Sequence, residues 1–134
     1  MIKSVRRLQI LGMAMVAATV MMTANAGGSQ DSRYPDVLAV KVRAAGADSF
    51  DFDVTISSPY DTPQRYADAF RAMDKDGRVL GERVLLHDHA DEQPFTRDLY
   101  RVAIPPGVRA VVIQGRDQKF GYGGKVVEVA LPGR

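Results

Sequence analysis

Beyond Pro35 the chain runs as short apolar stretches separated by turn-forming residues at intervals of about 10 to 15 positions, a spacing of strands rather than helices. The clearest is 50–57 (FDFDVTIS). Phe50, Phe52, Val54 and Ile56 alternate there with Asp51, Asp53 and Thr55, so one face is apolar and the other polar. Residues 37–44 (VLAVKVRA) repeat the pattern, with Leu38, Val40 and Val42 inward and Lys41 and Arg43 outward. Residues 66–73 (YADAFRAM) contain good helix formers but are too few for a helix. They run into Asp74-Lys75-Asp76-Gly77, read as a hairpin turn with Gly77 at the positive-φ position, and 78–87 returns as the partner strand. Residues 95–104 form a fifth strand, stopped by Pro105-Pro106-Gly107. Residues 108–115 are apolar on both faces, which predicts a central strand, and 126–131 close the chain before Pro132. The expectation is an all-β, seven-stranded antiparallel β-sandwich forming one domain over 36–134.

The first 26 residues follow a different rule. Lys3, Arg6 and Arg7 precede an apolar run from Leu8 to Thr23, and Ala24-Asn25-Ala26 follows, the order of a secretory signal peptide cleaved after Ala26. The run is roughly 16 residues where a membrane span needs about 20, and Gln9 and Thr19 interrupt it. Arg6-Arg7 invites a twin-arginine reading, but Val5 before the pair and Gln9 after it depart from that context. A periplasmic or secreted location is expected, with no membrane span after cleavage. Residues 27–35 (GGSQDSRYP) read as a flexible lead-in.

Export changes the charge picture. The whole chain has a formal net charge of +2, but three of its 18 Lys+Arg lie in the first 26 residues and all 16 Asp+Glu lie beyond them. The remainder carries net −1, which removes any warrant for a nucleic-acid partner. With no cysteine, disulfides, thiolate metal sites, a thiol nucleophile and a thioether lipid anchor are all excluded for this chain.

Residues 102–124 (VAIPPGVRAVVIQGRDQKFGYGG) resemble the last three strands of fibronectin type III and other immunoglobulin-like sandwiches. A strand there ends in a Pro-Gly turn, a central strand follows, and a Gly-rich loop leads into the final strand. The resemblance implies a fibronectin type III-like (immunoglobulin-like) architecture and supplies no catalytic residue. The tyrosine that such modules place early in the penultimate strand is missing at Val108 and Ala110, and no Trp supports the core. Tyr66 and Phe70 are the expected substitutes. The segments HDHADEQPFTRDL and FGYGGKVVEV are also similar to those of small exported bacterial proteins of unassigned function.

Two segments hold the candidate chemistry. His87-Asp88-His89-Ala90-Asp91-Glu92 collects both histidines and three acids. If the strand continues to His89, both imidazoles share a face and reach one Zn²⁺ or Cu²⁺, with Glu92 or Asp91 as a third ligand. The competing reading is a polar loop whose side chains bind backbone groups ahead of Pro94. The second segment, 117–124 (DQKFGYGG), reads as a loop too long for a minimal hairpin. It offers Phe120 and Tyr122 as aromatic contacts and Arg116 and Arg97 as charged ones.

Asp74-Lys75-Asp76-Gly77 lacks the remaining ligands of a calcium loop, and Asp51 and Asp53 read as a solvated strand face. No nucleophile elbow or phosphate loop occurs. The sequence thus points to a non-enzymatic binding or accessory module of the cell envelope, taking an unknown protein or small ligand and needing no cofactor. A Cu or Zn site, or a structural role in an exported assembly, are the alternatives.

Overall fold

The computed structural model describes residues 33–134; the segment read as a signal peptide, 1–26, and residues 27–32 lie outside the described residues. Seven strands follow in order: β1 Asp36–Ala44, β2 Ser49–Ser57, β3 Ala67–Met73, β4 Val79–Val84, β5 Phe95–Ala103, β6 Ala110–Asp117 and β7 Gly121–Ala130. Among the described residues there is no helix. The strands form two antiparallel sheets, ordered β1-β2-β5 and β4-β3-β6-β7.

Both sheets contribute to one core. The apolar face of β2 (Phe50, Phe52, Val54, Ile56) is buried against Phe70 and Ala72 of β3 and Val111 and Ile113 of β6. Alternation is strict along β2 and β6, because a strand with a neighbour on each side can turn only one set of side chains inward. Phe70 fills the core as expected; Tyr66 is half-buried and donates its hydroxyl to the Leu86 carbonyl at 3.4 Å. The Asp74–Gly77 turn forms as read. The Asp74 carboxylate accepts the Asp76 and Arg78 amides, both at 2.9 Å, and Gly77 has φ 85°.

Besides shifts of one or two residues at strand ends, such as β6 at 110–117 instead of 108–115, three larger differences from the sequence reading stand out. In β1 the register shifts between Val37 and Ala39, so Val37 is buried and Leu38 is 44% exposed rather than inward. A bulge adds one residue and reverses the facing of those before it. Strand β4 stops at Val84 instead of reaching His87: the Leu85 amide makes one last bond in register, to the Asp68 carbonyl at 2.8 Å, and beyond it the chain curls so that the His89 amide reaches Asp61 at 3.0 Å. Strand β7 starts at Gly121, so most of the segment read as a long loop is strand.

That last difference has a steric cause. An added Cβ on Gly123 would sit 2.4 Å from the Tyr34 ring, one on Gly124 would sit 2.0 Å from the Pro35 carbonyl oxygen, and one on Gly115 2.7 Å from the Pro35 ring. The glycines therefore clear a trough in β6 and β7 that the incoming chain fills, with Pro35 fully buried. Residues 34 and 35, placed by sequence in the lead-in, are packed.

Candidate functional site

Register places several segments at one end of the molecule. Ala67 of β3 pairs Asp117 of β6, Asp117 pairs Gly121 of β7, Ala69 pairs Val84 of β4, and Ile56 of β2 pairs Phe95 of β5. The connections 58–66, 85–94 and 118–120 therefore share that end; His87, His89, Asp91 and Glu92 lie in the second, Phe120 in the third, and Arg97, Arg116 and Tyr122 in strands β5, β6 and β7.

The turn 118–120 is short and closed. Asp117 is fully buried, and its carboxylate accepts the Lys119 and Phe120 amides at 2.9 Å and Arg65 Nε at 3.2 Å. Burial alone would raise this carboxyl, but the donors outweigh it and hold it below the usual aspartate range. Gly121 follows with φ 84°, the left-handed residue that ends a three-residue hairpin loop. Phe120 is 41% exposed, edge-on to Tyr34 at 6.4 Å and 5.0 Å from the Arg65 guanidinium. Tyr122 does not join it at the tip. Tyr122 lies over the outer face of the four-stranded sheet, 3.7 Å above the Arg71 guanidinium and bonded through its hydroxyl to Glu82. Arg116 pairs with Asp68 on that face at 2.5 Å.

The connection 85–94 is held from three sides. Asp61, itself buried, accepts the Ala67 amide through Oδ1 and the His89 amide through Oδ2, both at 3.0 Å. Gln93 Oε1 accepts the Ser58 amide at 2.8 Å, while its Nε2 donates to Ser58 Oγ at 3.2 Å and the His89 carbonyl at 3.0 Å. Asp88 accepts the Ala90 amide at 3.1 Å. This is the backbone-binding polar loop that sequence reading set against the metal site.

His87 and His89 come together by the curl of this loop, not by strand alternation. Their ring centroids are 4.8 Å apart with planes tilted by 37°. His87 is exposed and shares a hydrogen bond between Nδ1 and the Asp88 carbonyl at 2.9 Å. His89 is only 5% exposed and stacks on Phe95 at 3.9 Å, and its Nδ1 is buried without a hydrogen-bond partner. Burial first, then the charges of Arg97 and His87, push the His89 imidazole below its ordinary value against the opposing pull of Asp61 and Glu92. Glu92 is bound to Arg97 at 3.0 Å, which lowers its carboxyl, and Asp91 is exposed. Among the described residues no three His, Cys, Asp or Glu side chains gather as a metal site.

Beside the imidazoles a cleft of about 270 Å³ opens between segment 83–87 on one side and His89 and Arg97 on the other. Its rim joins the two sheets, since Arg83 belongs to β4 and Arg97 to β5. Arg83 binds the Asp98 carboxylate at 3.0 Å and the Asp98 carbonyl at 2.9 Å. Leu86 stands 83% exposed at the mouth. Sequence reading did not single out Arg83, Leu86, Asp61 or Gln93. One signal existed: Val84-Leu85-Leu86 is an apolar run in which alternation cannot turn every side chain inward.

No protein-family profile and no solved structure matches the chain. Over 99 residues it is 37% identical to a protein of Halomicrobium mukohataei named "Putative lipoprotein", covering 74% of this chain and 48% of the relative. The chain thus spans about half the length of that relative.

Proposed function

We propose that this protein is an exported, non-enzymatic binding or accessory module of immunoglobulin-like, fibronectin type III-like build, and that its ligand enters the cleft beside His89. The strand order supports the architectural part: β1, β2 and β5 in one sheet against β3, β6 and β7 in the other is the grouping of first, second and fifth strands seen in such sandwiches. The basic, apolar and small-residue zones of the first 26 residues support export, as does the name carried by the relative.

The observation that carries the site is His89. A protein rarely buries a polar ring atom without a partner, and here the orphaned Nδ1 belongs to a side chain lining a cleft. The turn 118–120, by contrast, has its carboxylate satisfied and its aromatic engaged. The test is a screen of small organic acids, amino acids and sugars by ¹H–¹⁵N correlation spectra. Ligands are expected to perturb the amides of residues 85–89 and Arg97 together. Binders that perturb only residues 118–122 would contradict the proposal.

One observation favours a second reading. A centroid spacing of 4.8 Å suits two imidazoles on one Cu²⁺ or Zn²⁺, with solvent or Glu92 released from Arg97 completing the shell. Native mass spectrometry with each ion, on the protein and on His87→Ala and His89→Ala variants, decides it.

A further inference from the structure

We infer that the cleft selects a small carboxylate with a short apolar body; this rests on the reading of the cleft as the binding site. Two arginines reach its rim from different sheets, and both keep donors in reserve. Arg83 uses only Nη1 in its contacts with Asp98, leaving Nε and Nη2, and Arg97 uses Nη1 and Nη2 on Glu92 and the Thr96 carbonyl, leaving Nε. A guanidinium carries five N–H donors in a fork that matches a carboxylate. The present partners face solvent, with the Asp98 side chain 43% and the Glu92 side chain 57% exposed, so exchange or sharing with an incoming anion costs little.

The other contacts agree in chemistry. His89 lines the cleft beside Arg97, and Leu85, Leu86 and the aliphatic stem of Arg83 provide apolar wall. A cleft of about 270 Å³ admits a body the size of one ring or a short alkyl chain. Both charged side chains that line the cleft, Arg83 and Arg97, are cations and no acid lines it, which is why an anion is favoured over a divalent metal.

The experiment titrates the ¹⁵N-labelled protein, recovered from the exported fraction of an expressing cell, with benzoate, benzyl alcohol and Zn²⁺ in parallel. Benzoate is expected to shift the amides of residues 85–89 and Arg97 saturably, benzyl alcohol at least ten-fold more weakly. Arg83→Gln is expected to lower benzoate affinity by about ten-fold, and Arg83→Lys to restore part of it, as loss and partial return of a charge-assisted bond requires. Equal shifts from benzyl alcohol overturn the carboxylate inference and leave the site standing. Shifts from Zn²⁺ without benzoate binding overturn it in favour of the metal. Silence of these amides with every probe and throughout the wider screen overturns both readings.

Discussion

The Tyr122 hydroxyl on β7 donates to Glu82 on β4, so one hydrogen bond joins the two edge strands of the four-stranded sheet across its outer face. Beneath it the Arg71 guanidinium lies 3.7 Å from the Tyr122 ring and donates to Gln114 at 2.8 Å, which ties in the two central strands. An aromatic ring over a guanidinium gains from the cation's pull on the ring face. Tyr122→Phe is expected to keep that stacking, lose the hydroxyl bond and cost about 1 kcal/mol, read as a lower urea midpoint at unchanged slope. The phenol is raised by burial and by Glu82, and Tyr60 is raised by burial and by Asp117. Tyr60 and Tyr122 should therefore ionise above the ordinary phenol range in an ultraviolet pH titration.

The glycine trough in β6 and β7 predicts position-specific intolerance. Gly124 combines φ 79° with a Cβ position 2.0 Å from the Pro35 carbonyl oxygen, so Gly124→Ala is expected to destabilise by more than about 1 kcal/mol. Gly107, with nothing within 4 Å of an added Cβ, is the control, and Gly107→Ala should unfold at the parent temperature.

These glycines also mark where sequence reading stops. Strand β2 was legible because Phe50, Phe52, Val54 and Ile56 alternate with polar residues and need no knowledge of what they face. The Asp74–Gly77 turn was legible because its chemistry is local. Strand β7 was legible only from Val126 on; its first half was not, because Gly123 and Gly124 resemble a loop until Tyr34 and Pro35, about 90 positions earlier, are packed against them. The cleft was half legible. Its histidines and Arg97 stand out in the sequence, whereas Arg83 becomes a neighbour only when β4 and β5 of different sheets are brought side by side.

Asp117 makes acid stability a test of the turn. Its carboxyl is lower in the folded protein than in the unfolded chain, so its contribution is fully present above the unfolded value, about 3.9, and is lost as pH falls toward the folded one. The unfolded chain takes up the proton first in that window. Asp117→Ala removes this acid-side loss and costs about 2 kcal/mol at neutral pH, because the Lys119 and Phe120 amides lose the buried acceptor that closes the turn. Glu128→Ala, breaking the solvent-facing pair with Lys75, should change stability by less than about 0.5 kcal/mol in the same denaturation series.

His89 adds a second pH window. Its imidazole is pushed down by burial and by Arg97 and His87, with Asp61 and Glu92 opposing, so the unfolded chain is protonated first as pH drops below about 6.5. Stability is expected to fall from there until the folded imidazole itself takes a proton. His89→Phe, which keeps an aromatic ring against Phe95, should abolish that decline in melting temperatures measured between pH 7 and 5.

The location of the site is tested most directly by hydrogen–deuterium exchange of the protein with and without saturating benzoate. Exchange is expected to slow in peptides spanning residues 83–97 and to stay unchanged in those spanning 117–124. Protection confined to 117–124, or none in 83–97 under conditions where binding is established, would contradict this location.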